Sequence, residues 1–227
     1  MRFALNSDHK DFYSKNGFIE FEDFLDANSV AALQKEIDTT LCARLKTSSI
    51  RMAELPRSAI FDSGFDLWRD NATLKHTLFK ATFSEIAAQL FQAPLLRIAF
   101  DQYLDTGTGS ESPLSTSLSL NDLSCANPLS GALILRLSEL PVDPCDPQTC
   151  PIPSKAGSAI FLSPDKVIPW KDLFSQKDLR LMILAYGFKK TFYRLCKNDP
   201  HTHQWKKLGY VFGDLLKDNL HPILFRA

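Results

Sequence analysis

The chain changes its pattern at Pro94, and this change constrains the fold more than any other feature. Before Pro94, apolar residues recur mostly at helical spacing; after it, apolar or alternating runs are separated by Gly, Pro, Ser and Asp. Helices followed by strands are typical of an α+β domain with a β-sandwich or barrel core. We therefore expect one domain over 1–227, with a helical part to about 93, a β-rich core over about 94–195 and a C-terminal extension over 196–227.

The start of the helical part predicts three elements. Ser7 begins a short helix that Gly17 would cap, and GFIEFEDF then alternates like a strand. A longer helix follows Asp26 or Asn28, either of which is a suitable N-cap. Four apolar residues at spacings of three and four place one face of this helix in the core: Val30, Leu33, Ile37 and Leu41.

The rest of the helical part is less regular. Residues 46–69 lack a sustained period and predict a connecting loop. From Asp70 the pattern is helical again, and Thr82 with Glu85 fits a capping box. We therefore expect two helices in series, the second ending near Phe91.

The β-rich core and the tail follow. The runs LLRIAFDQYL, PLSTSLSL, SGALILRLSEL, GSAIFLSP and LRLMILAYGFKKTFY predict strands. In the tail, apolar residues from Trp205 to Leu216 recur at helical spacing and predict a helix, which Gly209 and Gly213 weaken.

Composition excludes some classes of function. Lys plus Arg and Asp plus Glu both number 26, so no net positive charge favours nucleic acid. The first residues do not form a signal peptide, and no run approaches the roughly 18 apolar residues of a membrane span. We expect a soluble, cytoplasmic protein with no nucleic-acid or membrane partner, and its oligomeric state is left open.

The five cysteines predict reduced thiols, because they are few, scattered and odd in number. Cys145 and Cys150 lie in the proline-rich run PVDPCDPQTCPIP. A disulfide clip or a metal site there is weighed against a stiff surface loop, which we favour because no second pair of ligands is evident.

The opening FYSKNGFIEFEDFLDANSVAALQKEID resembles the N-terminal stretch of the phytanoyl-CoA dioxygenase-like (PhyH) family of Fe(II)/2-oxoglutarate-dependent oxygenases. The resemblance covers about residues 8–195 and is strongest in the first forty. It implies a double-stranded β-helix (jelly roll) core buttressed by the N-terminal helices, with Fe(II) and 2-oxoglutarate bound at the mouth of the roll.

The family's motif shows a gap in this chain. Such iron is held by H-x-D on one strand and by a second His downstream, and an Arg farther on grips 2-oxoglutarate. The segment that resembles H-x-D is Leu120-Asn121-Asp122, and the position of the second His holds Ile168. Arg180 stands where the resemblance places the 2-oxoglutarate arginine. The resemblance therefore retains Asp122 and Arg180 as cofactor-binding candidates but provides no metal site.

The five histidines do not close this gap. They are His9, His76, His201, His203 and His221, and none lies between residues 77 and 200, where both ligands are expected. A single Asp cannot hold Fe(II) against water and cellular chelators. We therefore predict no resident cofactor, with Fe(II) and 2-oxoglutarate only if the family activity is retained.

Each candidate residue also has a structural interpretation. Asp122 is either a vestigial ligand or a turn residue, and Arg180 binds an organic acid or forms a salt bridge. The pair His201 and His203 has the spacing of some metal ligands, although a polar turn is favoured. Cys125 is interpreted as a core residue, because no His in the central region can activate a thiol.

The sequence is compatible with three alternative functions. The first is a catalytically silent relative of the oxygenases that binds a small organic acid or a protein partner. The second is an active 2-oxoglutarate-dependent dioxygenase with unconventional metal ligands. The third is an interaction or regulatory protein, with an apolar surface around Trp205 to Leu216 and no small-molecule site.

Overall fold

The computed structural model describes residues 5–107, 113–114, 117–139 and 151–227. Cys145 and Cys150 lie outside the described residues. The helices are α1 (Ser7–Asn16), α2 (Ala27–Leu45), α3 (Ser49–Met52), α4 (Arg57–Ser63), α5 (Ala72–Leu78), α6 (Ala81–Leu90), α7 (Leu120–Leu123) and α8 (Trp170–Ser175), with 3-10 turns at Leu67–Arg69 and Gln204–Leu208. The strands are β1 (Phe18–Phe21), β2 (Leu95–Asp105), β3 (Ser117–Ser119), β4 (Ala126–Arg136), β5 (Ala159–Leu162), β6 (Val167–Pro169), β7 (Arg180–Tyr193) and β8 (Ile223–Arg226).

Six strands form an antiparallel sheet in the order β1-β5-β4-β7-β2-β8, and β3 pairs with β6 in a separate small sheet. The long strand β7 lies between β4 and β2, with Leu184 opposite both Leu133 and Asp101. The prediction of an α+β fold in which the helices precede most of the sheet is confirmed at this level.

Alternate residues of a strand point to opposite sides of the sheet. The large sheet is buried on both sides, because apolar residues from other elements pack against each of them. Met182, Leu184 and Tyr186 of β7 pack with the apolar residues of α2 and α6, and we call this side the helix face. Leu181 and Ile183 belong to a second apolar cluster that includes residues of β6, α7 and α8, and we call this side the inner face.

The prediction for the N-terminal elements is confirmed. Helix α1 ends at Gly17, whose φ of 75° is the left-handed conformation that glycine tolerates. Asp26 caps α2 through Oδ1, which accepts a hydrogen bond from the Ser29 amide at 2.7 Å. Val30, Leu33, Ile37 and Leu41 of α2 are all buried on the helix face.

The prediction of a loop over residues 46–69 is wrong. The segment forms α3, α4 and the 3-10 turn, with Ser48 capping α3. These elements are four, seven and three residues long, so none is long enough to display a helical period in the sequence.

The two helices predicted after Asp70 are present, but the proposed capping box is wrong. Asn71 caps α5 by accepting a hydrogen bond from the Leu74 amide at 2.9 Å. Helix α6 begins at Ala81 after Lys80, which makes no side-chain cap, so Thr82 and Glu85 lie inside the helix.

The predicted tail helix is wrong beyond its first turn. Only Gln204–Leu208 is helical, as a 3-10 turn, because Gly209 and Gly213 adopt φ values of 82° and 101° that end a right-handed helix. The tail then enters the core with Leu216 and adds the unpredicted strand β8 to the edge of β2. No helix in the described ranges is long and apolar enough to cross a bilayer.

Candidate functional site

A small cavity lies on the inner face, enclosed by β2, β7, α4, α7 and α8. Its volume is about 50 Å³, and aromatic and aliphatic side chains form most of its wall. The polar wall residues are Gln102, Asp199 and His201. Gln102 is already engaged, since its Nε2 donates hydrogen bonds to the carbonyls of Phe61 and Tyr103 at 2.9 Å each.

The two positions of the sequence gap both lie in the inner apolar cluster. Leu120 begins α7, is buried and forms part of the cavity wall. Ile168 is buried in β6, opposite Leu118 of β3. Both positions are therefore filled by aliphatic side chains packed in the interior.

Asp122 acts as a local cap rather than as part of the cavity wall. Its Oδ2 accepts hydrogen bonds from the Ser119 hydroxyl at 2.7 Å and from the Ser119 amide at 3.3 Å. Ser119 in turn accepts a hydrogen bond from the Asp122 amide, which completes a capping box at the start of α7.

Arg180 opens β7 on the helix face, in the same alternation as Met182 and Leu184. Its Nε lies 3.5 Å from Oδ2 of Asp105, and the Asp105 carboxylate is also 3.4 Å from Nη1 of Arg57. The side chain borders a surface groove beside α2 rather than the inner cavity. The structure therefore does not bring Arg180 and Asp122 together in one cavity.

His201 is a functional candidate whose spacing from His203 suits a pair of metal ligands, although the sequence favours a polar turn. The turn exists, with the Thr202 amide donating to the Asp199 carbonyl, but His201 is 3% exposed and forms part of the cavity wall. Its ring stacks on Phe65 at 4.5 Å and on Phe61 at 5.2 Å between centroids. His203 is exposed, so the two histidines do not form a ligand pair.

The environment of His201 keeps the imidazole neutral. Burial lowers its pKa to about 4, because a charged ring would lose its hydration among the phenylalanines. Its Nε2 is buried without a hydrogen-bond partner, which costs roughly 1–3 kcal/mol. No sequence signal distinguished this residue, since an inward-facing His in a polar turn depends on the tertiary packing.

Asp199 holds the turn that carries His201. Its Oδ1 accepts the His201 amide at 2.7 Å and its Oδ2 accepts the Cys125 amide at 2.8 Å. Burial raises the pKa of Asp199, and it also raises the pKa of the Cys125 thiol far above its usual range. Cys125 is thus a protonated core residue rather than a nucleophile.

These residues do not fit an iron centre of the kind that the resemblance implies. Such a centre needs two imidazoles and a carboxylate on one face of the metal. In the described ranges, no three His, Cys, Asp or Glu side chains are grouped so that they could hold a metal ion. Among the five histidines, all of which are described, only His201 borders the cavity.

Comparisons with known proteins identify the fold. No protein-family model matches the chain, and no curated protein does. Among solved structures, the non-heme alpha-ketoglutarate-dependent carbocyclase SnoK from nogalamycin biosynthesis aligns with a TM-score of 0.69 at 15% identity, covering 96% of both chains. The epimerase SnoN from the same biosynthesis gives 0.67 at 14% identity, covering 96% of this chain and 98% of SnoN.

A third solved structure extends the likeness. EctD from S. alaskensis, solved with 2-oxoglutarate and 5-hydroxyectoine, gives a TM-score of 0.59 at 13% identity, covering 87% of this chain and 83% of EctD. Likeness at such low identity establishes architecture and not activity. The chain therefore has the mixed helix-and-strand fold of the iron- and 2-oxoglutarate-dependent oxygenases.

Proposed function

We propose that this protein is a divergent, catalytically silent relative of the Fe(II)/2-oxoglutarate oxygenases, within or near the PhyH group, and that it binds a protein partner or a small organic acid rather than oxidising a substrate. The proposal rests on the small volume and the mostly apolar wall of the inner cavity. Where the family's motif places two imidazoles, Leu120 and Ile168 fill the interior, and a volume of about 50 Å³ remains.

The donor set argues against a metal. His201 is one neutral imidazole, and both oxygens of its neighbour Asp199 are committed to backbone amides. A ferrous ion held by one strong ligand would lose most of the coordination energy that competes with water and cellular chelators.

Size and charge argue against 2-oxoglutarate in the cavity. Pockets that bind small molecules usually measure roughly 300–1,000 Å³, several times the volume here. The wall contains no Lys or Arg among the described residues, and Asp199 is the one acid in it. A dianionic keto acid would therefore be buried without a cation to pair with it.

The prediction that Arg180 holds an organic acid concerns a different place, the groove beside α2. There the guanidinium already faces Asp105, with Asp38 and Asp178 also close enough to interact with its charge. An acidic ligand would have to compete with these carboxylates, so the groove is a poorer anion site than the sequence alone predicts.

Titration calorimetry with 2-oxoglutarate and Mn(II) or Fe(II) tests the proposal. We expect no metal-dependent heat and no conversion of 2-oxoglutarate to succinate, while an active 2-oxoglutarate oxygenase run in parallel gives both. Metal-dependent conversion of 2-oxoglutarate to succinate that the His201→Ala variant loses would instead favour an oxygenase with unconventional ligands. Metal-independent 2-oxoglutarate binding that Arg180→Ala abolishes would place an acid site in the groove.

A further inference from the structure

The segments 189–197 and 206–217 form one face, here called the basic face, which combines exposed apolar side chains with lysines. Leu195 is 53%, Val211 65%, Phe212 38% and Leu215 57% exposed. They are four of the seven large apolar side chains that are exposed in the described part of the chain. Singly exposed apolar residues are ordinary, but a contiguous group of them marks an interaction surface.

Backbone hydrogen bonds hold the two segments side by side. The Tyr193 amide donates to the Asp214 carbonyl at 2.8 Å, and the Gly213 amide donates to the Tyr193 carbonyl at 2.7 Å. The Phe212 ring lies 4.7 Å from the Tyr193 ring between centroids. Leu195 follows Tyr193 by two residues, so it lies in the segment that is held beside the turn at Val211 and Phe212.

This turn stands out from the surface. The Asp214 amide donates to the Val211 carbonyl at 3.1 Å and closes a tight turn over residues 211–214. Gly213 adopts a φ of 101°, which favours glycine. A Cβ added at Gly209 or at Gly213 would meet no atom within 4 Å, so open space flanks the turn.

The charge of the face is strongly positive although the whole chain is neutral. The carboxylates within 189–218 are Asp199, which is buried, Asp214, which is half-buried, and Asp218, which is exposed and forms an ion pair with Arg97. Six lysines of this stretch are exposed: Lys189, Lys190, Lys197, Lys206, Lys207 and Lys217.

The ammonium groups of two of these lysines lie over aromatic rings of the face. Nζ of Lys206 is 4.7 Å from the centroid of the Phe212 ring, and Nζ of Lys217 is 5.0 Å from that of Tyr210. Each ammonium group therefore lies over an aromatic ring in a cation–π arrangement, which keeps positive charge next to the apolar part of the face.

We propose that the basic face docks on an anionic lipid surface, with Val211 and Phe212 entering the boundary between headgroups and acyl chains. Apolar side chains flanked by lysines are suited to this boundary, and each lysine near an anionic surface adds to the attraction. A projecting apolar turn can insert into a lipid layer, because lipids move apart around it. The flat surface of an acidic protein offers no such space for the apolar side chains. The proposal requires no membrane-spanning segment and differs from the expectation of no membrane partner, which considered such segments.

Vesicle sedimentation with the full-length protein tests the proposal. We expect binding to vesicles of phosphatidylcholine with about a third phosphatidylserine, weak binding to pure phosphatidylcholine, and loss of binding as salt rises. The Phe212→Trp variant supplies a reporter, since Trp68, Trp170 and Trp205 are all buried. Its emission should shift to the blue on binding, and brominated lipid should quench it.

Paired variants separate the apolar and the charged contributions. Lys189→Glu with Lys190→Glu should lower affinity for the anionic vesicles at least about 30-fold, which is the effect of losing two attractive charges before the added repulsion is counted. Val211→Ser with Leu215→Ser should lower it at least about 10-fold, because both side chains are more than half exposed and their loss leaves the core intact. The matched controls are Lys10→Glu with Lys35→Glu, and Ile50→Ser, which change exposed residues on α1, α2 and α3.

Three results would overturn the proposal. One is the absence of binding to anionic vesicles at low salt. Another is binding that the serine variants retain in full, since this would be charge attraction without insertion. The third is self-association in light scattering that the same serine variants abolish, which would assign the face to a second copy of the chain. The outcome does not depend on whether the inner cavity binds a metal.

Discussion

At the residue scale, Leu120 and Ile168 determine what the inner face can do. The apolar character of both positions is read directly from the sequence and does not depend on folding. Their burial in one cluster depends on the packing of α7 and β6 under the large sheet. Leu120 forms part of the wall of a cavity that is too small for the cosubstrate that the resemblance implies.

The His201→Phe variant should show that this imidazole is buried and neutral. A folded-state pKa of about 4 lies below the ordinary value of 6.5, so the unfolded chain binds the extra proton between these values. The contribution of His201 to stability is thus fully present above pH 6.5 and is lost as the pH falls towards 4. Phe fits between Phe61 and Phe65 and carries no such proton.

Urea unfolding at pH 7.5 and pH 5 measures this effect. Between these two conditions, the variant should gain about 2 kcal/mol of unfolding free energy relative to the native sequence. The other titrating groups contribute equally to the unfolding free energies of the variant and the native protein. Their contributions therefore cancel in the difference between the two. An equal difference at both pH values would show that the pKa of His201 is not lowered by folding, and a change of opposite sign would show that the ring is held in its charged form.

At the element scale, the sequence predicted those elements that are long enough to show a periodic pattern and that have their capping residues beside them. It did not predict the shortest helices. Helix α2 is long enough to show a period, and its cap Asp26 lies next to it in sequence. Helices α3 and α4 are too short for a period to emerge. The pattern from Trp205 to Leu216 is helical in spacing, yet Gly209 and Gly213 turn the chain so that alternate segments reach the core and the solvent.

The Ile37→Ala variant tests the contact between α2 and the sheet. Ile37 is fully buried on the helix face, so truncation should lower the unfolding free energy by about 2–5 kcal/mol, from lost apolar transfer and the cavity left behind. Lys35→Ala is the matched control, because this exposed position lies on the same helix. Denaturant unfolding measures both, and equal stability of the two variants would contradict the packing described here.

At the scale of the whole molecule, the tail is part of the core. Trp205 and Leu216 are buried on the inner face, and β8 pairs with the edge of β2. Arg97 of β2, itself buried, donates hydrogen bonds to the Leu216 carbonyl and to Asp218, where its Nη2 lies 2.9 Å from Oδ1. The sheet and the tail therefore stabilise each other.

A chain that ends at Asn198 should fail to fold cooperatively. It lacks the tail side chains that cover the inner face and both tail partners of Arg97, so apolar surface of the sheet is left exposed to water. We expect dye binding to exposed apolar surface and a broad thermal transition, while removal of Ala227 alone changes little. A truncated chain that remains monomeric with a sharp transition would show that the tail is dispensable.

The sequence by itself determined the class of fold, the N-terminal elements and the absence of any histidine between residues 77 and 200, because these depend on residue identity and on neighbours within a few turns. The tertiary structure decided the placement of Arg180 on the helix face, the inward orientation of His201 and the exposed apolar turn at Val211 and Phe212. Each of these depends on contacts between segments distant in the chain. The alternation of side chains along a strand determines which residues share one face of the sheet. It does not determine which of the two faces packs against the helices.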